Sequence, residues 1–222
     1  AGEYLVIPAD PDVFATNYPT VTNYINAGWT GHLSNSGETI DLQDELGVTV
    51  DKVDYADEGD WAVRQWVADE AYGFGYDWSG LHDGGGHTLE LINPAITNNN
   101  GQNWSASLVV GGSPGAVNSV YDDNIAPLIS KVGHTPIIPT ATDDVTVVAK
   151  VQDELTTGLV VELHYRDDGD PEFTTVTMYD DGLHNDGDLG DGIYGVDLPA
   201  RPDGTIVEFY VQATDADSNS RN

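Results

Sequence analysis

The chain has 222 residues, of which 38 are acidic and 7 basic, giving a formal net charge of -31 and a pI near 4.1. So few and scattered Lys and Arg exclude a nucleic-acid reader or an anionic-membrane binder, since both need clustered positive charge. Hydrophobic residues make up 39%, too many for a disordered acidic tail, so a folded core is expected.

In chain order, the first strand expected is Glu3 to Ile7. A short helix follows: Asp10 can cap it, Pro11 suits its first turn, Phe14 and Tyr18 lie four apart, and Pro19 ends it. Further strands are expected at Glu38 to Gln43, Val48 to Tyr55 and Thr88 to Ile92. The interruptions are rich in Gly and Pro. Asp122-Asp123-Asn124 and Pro127 break the pattern and mark a boundary.

The second half alternates more cleanly. Val145, Val147, Ala149 and Val151 share one face of a strand; so do Leu159, Val161, Leu163 and Tyr165. Val207, Phe209, Val211 and Ala213 form a third such row. One apolar and one wet face per strand is the pattern of an antiparallel sandwich. The fold class expected is all-β, with two tandem immunoglobulin-like β-sandwich domains at residues 1–121 and 122–222.

Four motifs of the first half carry a family resemblance. They are Leu33-Ser34-Asn35-Ser36-Gly37-Glu38-Thr39-Ile40-Asp41-Leu42, then Val50-Asp51-Lys52-Val53-Asp54-Tyr55. Next come Gly84-Gly85-Gly86-His87-Thr88-Leu89-Glu90-Leu91-Ile92 with Asn103-Trp104, and last Gly111-Gly112-Ser113-Pro114-Gly115-Ala116-Val117-Asn118. Together they resemble the bacterial lamin tail domain family, which implies an immunoglobulin-like β-sandwich over about residues 1–118. Two departures stand out: the family usually has one or two strands ahead of the segment matching Gly2 to Ile7, and the stretch from Trp61 to Gly84 looks inserted. The second half, from Asp180 through Gly192-Ile193-Tyr194 to Asp215, is similar to fibronectin-III-like or immunoglobulin-like modules of secreted bacterial proteins. Such modules imply spacing, attachment or binding, not a reaction.

Two segments carry candidate sites. Asp180, Asp181, Asp186, Asp188 and Asp191 crowd one Gly-threaded stretch, where carboxylates about 4 Å apart repel by about 1 kcal/mol per pair even in water. Calcium, with its six to eight oxygen ligands, would relieve that repulsion; a solvated hairpin turn is the other reading. Asp167-Asp168-Gly169-Asp170 is expected to be such a turn. The second segment, Trp61 to Leu81, holds Trp66, Tyr72, Phe74, Tyr76 and Trp78 with Asp69, Glu70 and Asp77. These rings suit a sugar or protein contact, or else a satellite core. His82 and His87 flank a Gly run that is expected to be a structural turn, and Trp104 to plug a core.

No Gly-x-Ser-x-Gly elbow, phosphate loop or His-Glu-x-x-His helix occurs in the sequence. The expectation is a non-enzymatic, calcium-stabilised structural or adhesive element of a bacterial surface layer, fibre or large exoprotein. Its partners would be other copies or neighbouring domains, with no nucleic acid and no membrane insertion. The alternative is an accessory carbohydrate-binding region of a secreted hydrolase, with polysaccharide as partner. The location expected is extracellular or cell-surface, and a marine or high-salt setting suits it because salt and divalent cations screen such charge. There is no Cys, which removes disulfides and thiolate zinc sites but does not choose a compartment.

Overall fold

Strands dominate, at 33% against 6% helix, in several small antiparallel sheets, so the chain is all-β. The computed structural model describes residues 3–69 and 73–222, with backbone only over 63–79. The chain divides into two compact units, residues 1–123 and 124–222.

The first unit opens with an extended segment and a helix, α1 (Pro11–Asn17). Asp10 Oδ1 accepts the amides of Asp12 and Val13, each at 3.0 Å, which closes the exposed N-terminal turn. Phe14 packs on Tyr18 and Tyr24 with centroids 5.0 and 5.3 Å apart. The Tyr18 hydroxyl donates to the Gly111 carbonyl at 2.7 Å and ties the helix to a segment 93 residues away. The strand expected at Glu3 to Ile7 is reduced to one parallel bridge, Val6 to Tyr24. Its apolar residues Leu5 and Ile7 stay exposed, so this apolar run finds no sheet to join.

Six strands follow in three separate antiparallel pairs: β1 (Glu38–Gln43) with β2 (Thr49–Tyr55), β3 (Val63–Asp69) with β4 (Gly73–Ser79), and β5 (Leu89–Leu91) with β6 (Trp104–Ala106). Gly37 leads into β1 at φ +99°. A Cβ there would sit 2.4 Å from the Tyr55 carbonyl oxygen, so only glycine fits this approach to β2. Much of the stretch from Trp61 to Gly84 is thus the antiparallel pair β3–β4. Among the described residues of this unit, no Val, Ile, Leu, Met, Phe, Tyr or Trp side chain is fully buried. The buried side chains include Glu90, Asn93, Asn103 and Ser107.

The second unit contrasts with it. Its strands are β7 (Leu128–Thr135), β8 (Val145–Gln152), β9 (Val160–Asp167), β10 (Thr174–Thr177), β11 (Ile193–Leu198), β12 (Val207–Thr214) and β13 (Ser220–Arg221). They form a four-stranded sheet in the order β10-β9-β12-β13 and a three-stranded sheet in the order β11-β8-β7, antiparallel throughout. Val147, Ala149 and Val151 of one sheet pack with Val161, Leu163, Val211 and Ala213 of the other, joined by Met178, Val196 and Leu198. Those of β8, β9 and β12 are the rows that alternation picks out, and burying each valine or leucine among them is worth about 1.5–3 kcal/mol. Their burial holds the two sheets face to face.

Candidate functional site

The Asp/Gly stretch connects β10 to β11, and its carboxylates turn onto the loop's own backbone. Asp180 Oδ1 accepts the amides of Gly190 (2.7 Å) and Asp191 (3.2 Å), and its Oδ2 accepts that of Gly192 (2.9 Å). Asp186 Oδ2 accepts the amides of Asp181 (2.8 Å) and Gly182 (3.2 Å). Asp181 Oδ1 takes the Leu183 amide, and the two oxygens of Asp191 take the amides of Asp188 and Ile193. Among the described residues, no group of three or more His, Asp or Glu side chains is arranged to hold a metal ion. Asp180, Asp181, Asp186, Asp188 and Asp191 are brought into one loop, but the carboxylates of Asp180, Asp181, Asp186 and Asp191 are fanned across separate peptides. Asp186 is wholly buried, and its Oδ1 has no hydrogen-bond partner. Gly195 permits that burial: a Cβ there would meet the His184 carbonyl at 2.7 Å and the Asp186 Cβ at 3.1 Å.

Beside this loop, Asp153, Asp180, Asp191 and Tyr194 line a cavity of about 730 Å³. Sequence reading overlooked Asp153, because one acid after a strand looks like any other. Burial, with Glu154 beside it and Asp215 nearby, pushes the Asp153 carboxyl up to about 6. Burial also pushes the Tyr194 phenol up, helped by Asp180 and Asp153. Asp215 behaves oppositely: burial raises it, but bonds from the Asn219 side chain and the amides of Asn219 and Asp217 outweigh that and hold it low. The smaller acidic turn at 167–170 connects β9 to β10. Its Asp167 pairs with Arg201 at 3.3 Å, and the Asp170 carbonyl accepts from Arg166.

In the first unit the register of β3 and β4 sets Trp66 opposite Tyr76, Ala68 opposite Phe74, and Arg64 opposite Trp78. Tyr72 lies outside the described residues. Trp61, at the entrance of the hairpin, packs tilted on Trp104 with centroids 5.8 Å apart. Trp104 is only half-buried, so it does not plug a closed core. Its Nε1 donates to the Asn98 carbonyl at 2.7 Å, and its ring walls a cavity of about 560 Å³. Ile40 and Val53 of the β1–β2 hairpin, Tyr55, Trp61 and Leu89 complete the apolar lining, with His82 and Asp83 on the polar side. His82 Nε2 is shielded from solvent without a hydrogen-bond partner. The Gly run between His82 and His87 is a turn with positive φ at Gly84 and Gly86, and His87 Nδ1 meets the Ser107 carbonyl.

The polar heart of this unit is Glu90. Its Oε1 accepts the amide and hydroxyl of Ser113, and its Oε2 those of Ser119. Burial pushes this carboxyl up, but the serine bonds outweigh it and hold it below the ordinary value. The sequence did carry a signal: in Leu89-Glu90-Leu91, period two sets the acid on the face opposite the leucines. Asn103 is held likewise: its amide donates to the carbonyls of Asn93 and Thr97, and its Oδ1 accepts the Asn93 amide. The motif beginning at Gly111 thus folds back to satisfy a buried charge.

Among the described residues, no helix is long and apolar enough to cross a membrane. No family model matches the chain, and no curated protein and no solved structure matches it.

Proposed function

We propose that this chain is a non-catalytic structural or adhesive module of an extracellular bacterial assembly, built as two tandem immunoglobulin-like domains. In this reading the first is of the lamin tail type and the second of the fibronectin-III or immunoglobulin type. The observation that carries it is the employment of the acidic side chains. Asp180, Asp181, Asp186, Asp191, Asp215 and Glu90 each accept backbone amides of their own unit. A carboxylate held this way is engaged in organising its own loop. Calcium would add to the bracing at the β10–β11 connection, where Asp186 Oδ1 is buried and unpartnered.

The test is light scattering of the whole chain in millimolar calcium and in chelator. A structural subunit self-associates or joins neighbouring domains in calcium and ignores polysaccharides; a strictly monomeric chain that binds no surface component removes the reading. One observation favours the alternative of an accessory carbohydrate-binding region: the half-exposed Trp61 and Trp104 beside Asp83 and His82. Retardation in gels containing a polysaccharide, lost in Trp61→Ala, supports that alternative instead.

A further inference from the structure

We infer that the first unit is an acceptor for an added β-strand from a separate polypeptide, with alternating apolar side chains and neutral or basic residues between them. This rests on the assembly reading above and names the kind of partner. β1 pairs with β2 along one edge; along its other edge, no backbone group of the described residues bonds to Glu38–Gln43. The outer edge of β2 is guarded, since the Asp54 amide donates to Asn99 Oδ1 at 2.7 Å and Asn98 donates to Asp51. β1 is therefore the open edge, and an open edge is a template for strand pairing.

The side chains agree. Ile40 and Val53 stand opposite each other in the register and face the cavity of about 560 Å³ with Tyr55, Trp61, Leu89 and Trp104. Ile40, Leu42, Val48 and Val50 remain 47–65% exposed, whereas the second unit closes on a full apolar core. A strand laid on β1 projects alternate side chains into that space, which lets this unit bury apolar surface as the second unit does. Charge selects the partner. Around the edge lie Glu38, Asp41, Asp44, Glu45, Asp51 and Asp57, and the nearby Lys52 is paired with Asp54 at 3.0 Å. A second copy brings a further net charge of -31 and is repelled, while a strand with lysines between its apolar residues is attracted.

The experiment titrates the whole chain with a short peptide alternating valine with lysine and threonine, and with the same peptide N-methylated along one edge. Binding is read by tryptophan fluorescence and by hydrogen exchange. The expected result is protection of the Glu38–Gln43 amides by about tenfold or more and binding at least about tenfold tighter than the methylated peptide. Ile40→Asp, at an exposed position, weakens binding by a similar factor and leaves exchange in the second unit unchanged. Equal binding of the two peptides overturns the inference, because charge attraction alone explains it. So does protection outside β1, or sedimentation showing that the chain alone already occupies this edge with a second copy. The peptide outcome does not depend on calcium-driven assembly, so the two readings fail separately.

Discussion

Ser119 donates both its amide and its hydroxyl to one oxygen of Glu90, each at 2.7 Å, while Ser113 serves the other oxygen in the same manner. Among the described residues of the first unit, this buried carboxylate with four such donors is the most fully satisfied acid. It stands where that unit has no fully buried large apolar residue among those described. Glu90→Gln sets an amide NH₂ against at least two donors and is expected to destabilise the first unit by about 2 kcal/mol; Glu90→Ala, which strands all four serine donors and the Thr88 hydroxyl, by about 3 kcal/mol or more. Urea unfolding followed by tryptophan fluorescence measures both. Because the Glu90 carboxyl is held below its ordinary value, its contribution is present above pH ~4.5 and disappears as pH falls through the lowered folded value. The Gln variant loses this acid-side dependence.

Asp153 gives the opposite slope. Its carboxyl is raised to about 6 by burial and by Glu154, so between pH ~4 and ~6 the folded chain holds more protons than the unfolded one. Stability from this group is present at low pH and is lost as pH rises through 6. Asp153→Asn is therefore expected to raise the unfolding midpoint of the second unit at pH 7.5, by less than about 1 kcal/mol given solvent screening, and to change little at pH 4. A variant less stable than wild type at pH 7.5 contradicts this account.

Calcium binding is checked at Asp186, the wholly buried acid of the β10–β11 connection. Millimolar calcium is expected to raise the melting temperature of the wild-type chain by a few degrees, the shift about 1 kcal/mol produces in a unit of this size. In Asp186→Asn, which can still accept from Asp181 and Gly182 through one oxygen, the rise is expected to vanish. Calorimetry in calcium and in chelator reads both, and a wild type indifferent to calcium removes the cation from the proposal.

The two units should also differ in how they tolerate truncation. Leu163 is fully buried between the sheets of the second unit, and Leu163→Ala is expected to cost about 2–5 kcal/mol. Ile40→Ala on the open hairpin, 47% exposed, should change stability by less than about 0.5 kcal/mol. Comparable costs at the two positions would mean that the hairpin face is covered in solution.

Local rules determined much of what is seen. Asp10, Pro11 and the Phe14–Tyr18 spacing mark the helix because capping and i,i+4 contacts involve neighbours in sequence. Alternation in β8, β9 and β12 identifies the buried rows, because a strand with one covered face must write a period of two. The apolar run at Glu3 to Ile7 and the apolar residues of β1 and β2 mislead in the same way, since no described layer covers Leu5, Ile7, Ile40, Leu42 or Val50. Periodicity states which face wants burial, not whether a partner supplies it. The destination of the aspartates was equally invisible: five acids in one stretch suggested a shared cation, and only the folded loop sets Asp180, Asp181, Asp186 and Asp191 on particular amides. The approach of Asp215 to Asp153 and the clasp of Ser113 and Ser119 on Glu90 also belong to tertiary structure, since they join residues 23 to 62 positions apart. Composition determined the acidity of the chain, and alternation its β-strands. Which carboxylates are spent on backbone amides, and which sheet is left open, was decided by packing at long range.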